Sequence, residues 1–437
     1  MKRIIALLLI GCMIVGLTAC GGNSTETDKA DETEAPVTAE VETVKVMTFN
    51  PSTDEGFALL EAQKELFEEM YPGTTLEIIT GTMSVEDGSL VTMLNSGEDL
   101  PDVIHINAGY SRVGALAEAG LIRELDDLYE ENDWEDKLNE AAVDLCSYVD
   151  GKLYEVPTDM DSISCYYNKE IFEELNLEVP ETWDDFLNIC EVTKEAGYEP
   201  IALGAMDGYA VGWSFGNILQ SVAGTEGARE LCASEVKWTE EAGLAALTEF
   251  DSWVKNGYFD SVSTTRGEAD AVYAFLNEKT AMYIVGAWVV TDVYSNNMQD
   301  KLGTFALPSQ IGEVACATGG LGRTYAVPSG VEDTKGAVMW FDFVLSEEFA
   351  QMMAEDETNN CIYASKAFFE IESKSPLLQA AKEAVSGVAG RNPSVFIGTE
   401  TKNAYFQNLQ GIVAGIVTPE EAAANIQEGQ DKDLAEE

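Results

Sequence analysis

Strand-like and helix-like segments alternate near the start of the chain, and this alternation restricts the possible folds. Short apolar runs at Val44–Phe49, Leu76–Ile79 and Asp102–Ile106 predict three strands. Between these runs, apolar residues recur at the spacing of amphipathic helices. Strands that alternate with helices form a parallel, doubly wound α/β sheet, whose ligands bind beyond the carboxyl ends of the strands. The loops that begin at Asn50 and Asn107 are therefore the first candidates for a binding site.

The first 20 residues have the pattern of an export signal. Two positive charges at Lys2 and Arg3 precede an apolar stretch from Ile4 to Leu17, which is shorter than the roughly 20 residues of a spanning helix. Its end, Leu17–Cys20, resembles a bacterial lipobox, in which the cysteine thiol receives a diacylglycerol and becomes the new N-terminus. We therefore expect a signal peptide over 1–19 and a lipid anchor, with acyl chains such as palmitate, on Cys20. The alternative is an uncleaved segment that lies at the membrane interface.

The mature chain is long enough for two lobes and starts with a polar tether. Removing 19 of the 437 residues leaves 418, more than one compact core usually supports. Residues 20–42 are small, polar and acidic, and cannot bury enough apolar surface to order themselves. This segment predicts a flexible tether that holds the folded part away from the outer face of the cell membrane.

The charge of the chain excludes one large class of partner. There are 78 Asp and Glu residues against 25 Lys and Arg residues, which gives a formal net charge of −53. Binding to nucleic acid requires clustered cations, so we expect no nucleic acid partner. The charge indicates a soluble folded part that resists self-association, and we expect a monomer.

The cysteines give no sign of a metal or redox motif. Apart from Cys12 in the signal and Cys20, six remain, and none forms a CxxC pair. Each lies beside apolar residues, which favours buried free thiols over disulfides.

Short segments along the whole chain carry a family resemblance. In chain order they are Leu100–Ile104, Gly151–Pro157, Tyr166–Phe172, Pro180–Trp183, Gly197–Ala202, Glu278–Trp288 and Thr418–Ala422. Their number, order and spacing behind a lipobox resemble the family 1 extracellular solute-binding proteins, the carbohydrate-capturing lipoproteins of ABC importers. The resemblance covers nearly all of residues 43–428.

The resemblance implies a two-lobed, type II periplasmic-binding-protein-like fold that closes on a sugar. It places a doubly wound sheet in each lobe, with a hinge of three crossings between them. The crossings are expected near Pro157–Asp161, Gly286–Trp288 and Gly319–Arg323. The N-lobe is then 43–158 plus 289–320, and the C-lobe is 159–288 plus 321–437. The implied partners are a mono- or oligosaccharide and the permease subunits of the importer, with no cofactor and no metal.

Two tryptophans are candidates to stack on a sugar ring, since aromatic rings cover the C–H faces of sugars. Trp288 follows Gly286-Ala287 where a strand leaves the C-lobe, and the resemblance implies an aromatic platform there. Trp213 lies where the family often supplies a second platform. For both residues the alternative is packing in a core. Four others lie within helical patterns and are interpreted as packing residues: Trp183, Trp238, Trp253 and Trp340.

Polar candidates lie in the expected cleft loops and crossings. Asp159 and Asp161 alternate on the first crossing, so an extended backbone would point both carboxylates to one face, where they could bind hydroxyls. The alternative is a pair of solvated hinge acids. Other candidates for sugar contact are Asp54 in the first loop, Asn107 and Tyr110 after the third strand, and Gly320 and Arg323 on the third crossing. Arg323 suits an acidic sugar or, alternatively, a structural salt bridge.

Two other classes of protein compete with a solute-binding protein. One is a secreted enzyme, and the other is a sensor or adhesin module with the same fold. The sole histidine, His105, lies inside a strand pattern and is interpreted as a core or cleft-wall residue rather than a metal ligand. The chain has no GxSxG motif, which disfavours a serine hydrolase of that type. Two carboxylates suffice for a glycosidase, so the sequence leaves a secreted carbohydrate-active enzyme open.

Overall fold

The structure is a computed structural model that describes residues 41–51, 53–81, 83–85, 87–146, 148–277, 279–385 and 390–436. The expected signal peptide, Cys20 and the expected tether up to residue 40 lie outside the described residues. In the described part, no helix combines the length and the apolar character needed to cross a membrane.

Twelve strands occur in the described residues. They are β1 (Thr43–Phe49), β2 (Thr75–Gly81), β3 (Val103–Asn107), β4 (Tyr148–Val149), β5 (Lys152–Leu153), β6 (Val156–Asn168), β7 (Glu199–Ala202), β8 (Thr280–Gly286), β9 (Leu302–Phe305), β10 (Thr318–Ala326), β11 (Ile362–Tyr363) and β12 (Gly390–Arg391). The three strands predicted near the start of the chain correspond to β1, β2 and β3.

Helices connect the strands and form most of the C-terminal third. They are α1 (Asp54–Met70), α2 (Ser89–Ser96), α3 (Ala115–Glu118), α4 (Asp126–Asn132), α5 (Trp134–Lys137), α6 (Glu140–Asp144), α7 (Lys169–Glu174), α8 (Trp183–Glu195), α9 (Gly208–Cys232), α10 (Glu241–Asn256), α11 (Glu268–Leu276), α12 (Val289–Ser295), α13 (Lys335–Val344), α14 (Glu347–Glu355), α15 (Lys366–Glu370), α16 (Pro376–Glu383), α17 (Pro393–Phe396), α18 (Thr399–Val413) and α19 (Pro419–Glu436). A π-helical turn, Tyr110–Gly114, follows β3, and a 3₁₀ turn covers Ser263–Thr265.

One continuous sheet runs through the protein, in the order β2-β1-β3-β10-β6-β8-β7. As predicted, β1 pairs in parallel with β2 and β3. The resemblance implied a separate sheet in each lobe, but the lobes share this sheet. The reason is the length of β6, which pairs with β10 along its first half and with β8 along its second.

Apolar side chains cover both faces of the sheet near β1 and β3, which confirms the doubly wound α/β fold. Val46 and Val103 belong to the core that packs against α13, whereas Met47 and Ile104 belong to a smaller cluster on the opposite face. Successive residues of a strand point to opposite faces, so both faces need apolar residues.

The described residues form two large cores, which correspond to the two lobes of the fold. The first core contains side chains from β1, β3, α13 and α14 and continues to Val385. The second contains side chains from α8 to α12 and from α18 and α19. The six cysteines at positions 146, 165, 190, 232, 316 and 361 are buried free thiols, as predicted.

The packing differs from the expected lobe assignment in two segments. Residues 289–320 were expected in the N-lobe, but Val289 and Leu302 pack in the second core. Residues 321–437 were expected in the C-lobe, but Trp340 and Leu378 pack in the first core. Glycine-rich segments in a sequence mark where a chain can turn, but they do not show which core the next apolar face will join.

The residues that the structure describes change from one core to the other three times along the chain. β6 leaves the first core at Met160 and enters the second at Ile163, and the chain returns between Leu307 and Ala317, just before β10. The third passage lies between Val385 and Ile397, so the expected crossing at Gly286–Trp288 is wrong. Ala287 touches the first core there, but the following helix, α12, packs back into the second core.

Candidate functional site

Three aromatic rings form a connected surface where β8 and α9 meet, and we call Tyr209, Trp213 and Trp288 the aromatic shelf. The ring centroids of Trp213 and Trp288 are 4.9 Å apart, and those of Tyr209 and Trp213 are 5.3 Å apart. Tyr209 and Trp213 lie four residues apart on α9 and therefore on the same side of that helix. The two predicted tryptophans are thus brought together, along with a tyrosine that was not predicted.

The rings of the shelf differ in exposure. Trp288 is partly exposed, whereas Trp213 is only 8% exposed and Tyr209 is 44% exposed. Trp213 is therefore mostly buried and packs against the other two rings. This agrees better with the alternative that Trp213 is a core-packing residue. Tyr209 and Trp288 present the accessible aromatic surface.

Gly286 fixes the position of the Trp288 ring. A Cβ atom at Gly286 would lie 1.9 Å from the six-membered ring of Trp288. The indole therefore lies directly on the backbone of Gly286, and only glycine leaves room for it. The sequence Gly286-Ala287-Trp288 thus positions the platform.

Glu268 lies beside two shelf residues. The side chains of Trp288 and Tyr209 both interact with its carboxyl group and act to lower its pKa, and its backbone N–H donates to Asp207 Oδ2 at 2.7 Å. Burial raises the pKa of Glu268, and the negative charges of Asp292 and Asp207 raise it further. The partly exposed rings of Tyr209 and Trp288 are the aromatic surface that the shelf offers to a ligand.

The first crossing carries the two predicted aspartates. Asp159 and Asp161 both lie beside Gly322, whose missing side chain leaves room for their carboxylates. Asp159 is buried and accepts from the backbone N–H of Arg323 at 2.8 Å and from its guanidinium at 3.0 and 2.5 Å. This geometry favours the structural salt-bridge interpretation of Arg323. The Asp159 carboxylate is already bound within the protein and is not offered to a ligand.

Asp161 forms no close ion pair with any arginine that the structure describes, although the charges of Arg323 and Arg112 act on it. Burial raises its pKa to about 7, with a further rise from the neighbouring charge of Asp159, partly offset by Arg323 and Arg112. Near neutral pH this carboxyl group is partly protonated, so it can donate as well as accept a hydrogen bond.

The loop candidates lie at the carboxyl ends of β1 and β3. Asp54 is the exposed first residue of α1, and Asn107 is the exposed last residue of β3, opposite Arg323. The hydroxyl of Tyr110 donates to Glu118 Oε1 at 2.5 Å, within the same lobe. Tyr110 lines a groove of about 690 Å³ whose other wall includes Phe396 of the C-terminal region.

Gly320 lies against the ring of Phe396. Its φ of +147° and the 3.2 Å separation between a Cβ built there and the ring show a close approach of backbone to an aromatic side chain. Arg391 covers the same ring, with its guanidinium carbon 4.7 Å from the centroid. The predicted backbone approach at Gly320 is thus to a protein ring in this structure.

A second cavity, of about 220 Å³, lies between β1, α1 and the segment 358–363. We call it the inner cavity. His105 lies in its wall, in agreement with the cleft-wall interpretation, and Arg323 lines it as well. Two hydrogen bonds join the segment 358–360 to Trp288 and to the helix α12 that follows it. Asn360 Nδ2 donates to the Trp288 carbonyl at 3.2 Å, and Thr291 Oγ1 donates to the Thr358 carbonyl at 2.9 Å.

Sequence reasoning missed Tyr209 and Glu268. The signal for Tyr209 was its spacing of four residues from Trp213 in a helical segment, which places both on one helix face. Glu268 had no comparable signal, because its contact with Trp288 depends on the packing of α11 against β8.

The family model described as bacterial extracellular solute-binding protein matches residues 50–351. An uncharacterised ABC transporter extracellular-binding protein of Pyrococcus horikoshii is 30% identical over 322 residues, covering 70% of this chain and 71% of that protein. The multiple sugar-binding protein of Streptococcus mutans is 27% identical over 317 residues, covering 71% of this chain and 70% of that protein.

A solved structure, described as a chitin oligosaccharide binding protein, superposes with a TM-score of 0.76. It is 24% identical and the match covers 91% of this chain and 100% of the other, which shows that the two share a fold. The family match extends over more than half of the chain and runs through β6, β8 and β10, which join the two cores. The chain is therefore a member of the bacterial extracellular solute-binding protein family.

Proposed function

We propose that this protein is the lipid-anchored, extracellular binding component of an ABC importer. It captures a sugar or an oligosaccharide between its lobes and delivers it to the permease subunits. The aromatic shelf is the observation that carries the proposal, because adjoining aromatic rings with accessible faces suit the C–H face of a sugar. The sugar-binding relative from Streptococcus mutans supports the same ligand class.

The shelf is preorganised for this role. Contacts with Gly286 and with the ring of Trp213 hold the Trp288 ring in place before any ligand arrives, so little side-chain freedom is lost on binding. Partly exposed acids near the rings, such as Asp207 and Asp292, can accept hydrogen bonds from the hydroxyl groups of the sugar.

The three passages between the cores support capture by hinge closure. Asp161 lies on β6, one of these passages, and Trp288 lies where α12 of the second core touches the segment 358–360 that follows α14 of the first. A sugar that contacts groups from both cores favours the closed state through its higher affinity for that state. A permease can then distinguish loaded from empty protein by its shape.

The lipid anchor is the part of the proposal that rests on sequence alone. The lipobox Leu17–Cys20 supports it. Replacing Cys20 by Ala is expected to release the protein from membranes or to leave it unprocessed, as fractionation followed by immunoblotting would show. Membrane association that still requires detergent in this variant would contradict the anchor.

A binding protein is preferred over an enzyme because the best-formed site is an aromatic surface. The described residues bring no serine-histidine pair together at it. Asp159 is held by Arg323, so Asp161 has no free carboxylate partner on β6 for the two-carboxylate chemistry of a glycosidase.

Calorimetric titration with sugars tests the proposal. Thermal-shift screening of mono- and oligosaccharides first identifies a ligand, since a ligand at 100 times its Kd adds about 2.7 kcal/mol to the free energy of unfolding. Trp288→Ala is expected to weaken binding of that sugar about ten- to a hundredfold through the loss of stacking.

Tyr273→Ala is the matched control, since Tyr273 is an exposed aromatic residue on α11 outside the shelf, and it should bind as the wild type does. Equal affinity of the Trp288 variant and the wild type would assign Trp288 to the core. A wild-type protein that binds no sugar would contradict the proposed function.

A further inference from the structure

The inner cavity contains two buried polar atoms that have no partner. Nε2 of His105 and Oγ1 of Thr158 make no hydrogen bond to any residue that the structure describes. His105 is only 8% exposed and Thr158 only 5%, and both line the cavity. Buried polar atoms in native proteins are nearly always paired, so two orphans in one wall indicate a place where a ligand supplies the missing partners.

Three neighbours fix the orientation of His105. Its Nδ1 is 2.9 Å from Thr48 Oγ1, and its ring stacks on Tyr325 with centroids 4.4 Å apart. Phe49 and His105 form a T-shaped pair with ring centroids 5.2 Å apart. Burial and the nearby charge of Arg323 lower the pKa of His105 well below its usual value, so the imidazole is neutral. A neutral ring with Nδ1 engaged offers Nε2 as one donor or one acceptor, as the hydroxyl of a ligand requires.

The charge of the cavity wall selects the class of ligand. The chain has 78 acidic residues, yet none of the described residues that line the cavity is Asp or Glu. Its one cationic side chain, Arg323, is bound by Asp159. The wall therefore offers hydroxyl, amide and imidazole groups without a free charge, which disfavours both a carboxylate and an ammonium group in the ligand.

The size of the cavity limits the occupant to one small unit. Its volume of about 220 Å³ lies below the roughly 300–1,000 Å³ of pockets that enclose drug-sized ligands. Its walls include residues from elements of both cores, since Thr291 of α12 lines it together with residues of β1, β3 and β6. Because Asn360 of the cavity wall donates to the carbonyl of Trp288, the cavity adjoins one end of the shelf.

We infer that the inner cavity is a binding subsite for one uncharged, hydroxyl-bearing sugar unit, whose hydroxyl groups pair with His105 Nε2 and Thr158 Oγ1. This inference rests on the proposed function and makes it more specific. The shelf contacts the face of a sugar ring, while the inner cavity forms hydrogen bonds with the hydroxyl groups of one sugar unit. A uronic acid does not bind in the inner cavity, because its carboxylate finds no free positive charge there.

The single histidine of the chain allows a direct test. Protein labelled with 15N-histidine and carrying no histidine tag has one imidazole, so its two ring nitrogen signals report on the cavity alone. The probes are glucose, galactose, N-acetylglucosamine, maltotriose and glucuronic acid. Binding of a neutral probe, measured by calorimetry, should shift the Nε2 signal with the same Kd, while glucuronic acid should leave it unmoved.

Thr158→Val and Ser164→Ala form a matched pair of variants. Both remove a buried hydroxyl without a partner among the described residues from β6, but Ser164 does not line the cavity. Thr158→Val is expected to weaken binding of the neutral probe about tenfold while the melting temperature of the free protein is unchanged or raised. Ser164→Ala should bind the probe as the wild type does.

The outcomes separate the inference from the function on which it rests. A neutral sugar that binds tightly in calorimetry but leaves the Nε2 signal unmoved, or binds Thr158→Val as well as the wild type, overturns the subsite and leaves the shelf in place. A shift with glucuronic acid equal to that with glucose overturns the selectivity for uncharged units. The absence of binding by every probe overturns the proposed function itself.

Discussion

Arg323 binds the carboxylate of Asp159 across the two central strands, through its backbone N–H at 2.8 Å and its guanidinium at 3.0 and 2.5 Å. The two residues are 164 positions apart in the chain; β6 is one of the passages between the cores, and β10 directly follows another. The pair therefore joins β6 to β10 at the point where the lobes connect.

Removing the guanidinium should destabilise the fold. In Arg323→Gln the buried carboxylate of Asp159 loses its counter-charge, and we expect a loss of about 3 kcal/mol in the free energy of unfolding, measured by urea denaturation. The double variant Arg323→Gln, Asp159→Asn should recover part of that loss. Asp99→Ala, which removes the exposed partner of Lys45, serves as the control and should leave the denaturation midpoint unchanged. A denaturation midpoint for Arg323→Gln equal to that of the wild type would contradict the structural role.

Asp161 should make stability depend on pH in an unusual direction. Its folded pKa of about 7 lies above the value of 3.8 for an unperturbed aspartate, so the folded state holds more protons than the unfolded state between these pH values. Stability therefore falls as pH rises from about 4 to about 7, and this penalty is absent below pH 4.

In Asp161→Asn that penalty is removed, so the variant should match the wild type at pH 4 and exceed it at pH 7.5, by a few kcal/mol at most. Thermal melts of both proteins across this range are the measurement. A constant difference between the two melting temperatures at every pH would show that Asp161 has an ordinary pKa.

Gly286→Ala should weaken sugar binding without touching the sugar. The added methyl group would lie 1.9 Å from the present position of the Trp288 ring, so the ring has to leave its place on the shelf. We expect a loss of affinity about as large as that of Trp288→Ala, measured by calorimetry. Gly81→Ala is the control, because a Cβ there meets no atom within 4 Å. Unchanged affinity in Gly286→Ala would mean that the orientation of Trp288 does not matter for binding.

Local patterns predicted the parts of the fold that local interactions determine. The three parallel strands β1, β2 and β3 follow from apolar runs separated by helical spacing, and the structure has them in the expected places. The assignment of 289–320 and 321–385 to lobes failed, because it depends on which of two distant cores buries each apolar face. Likewise, the single shared sheet depends on the pairing of β6 with β10, which are far apart in sequence.

The site shows the same division. Trp288 was identifiable because Gly286-Ala287-Trp288 ends a strand pattern, and the ring indeed lies on Gly286. Neither the position of Glu268 beside Trp288 nor the pairing of Asp159 with Arg323 was identifiable, since each contact joins segments that only the folded sheet brings together.

Capture by closure is the central claim, and small-angle X-ray scattering with and without the sugar found by screening tests it most directly. Since a sugar that contacts both lobes stabilises the closed state, the radius of gyration should fall when saturating sugar is added to the wild type. Asp161→Ala at the same degree of saturation should show a smaller decrease, because it loses a contact on β6. A radius of gyration that stays the same at full saturation of the wild type would contradict the account and indicate a rigid binding site.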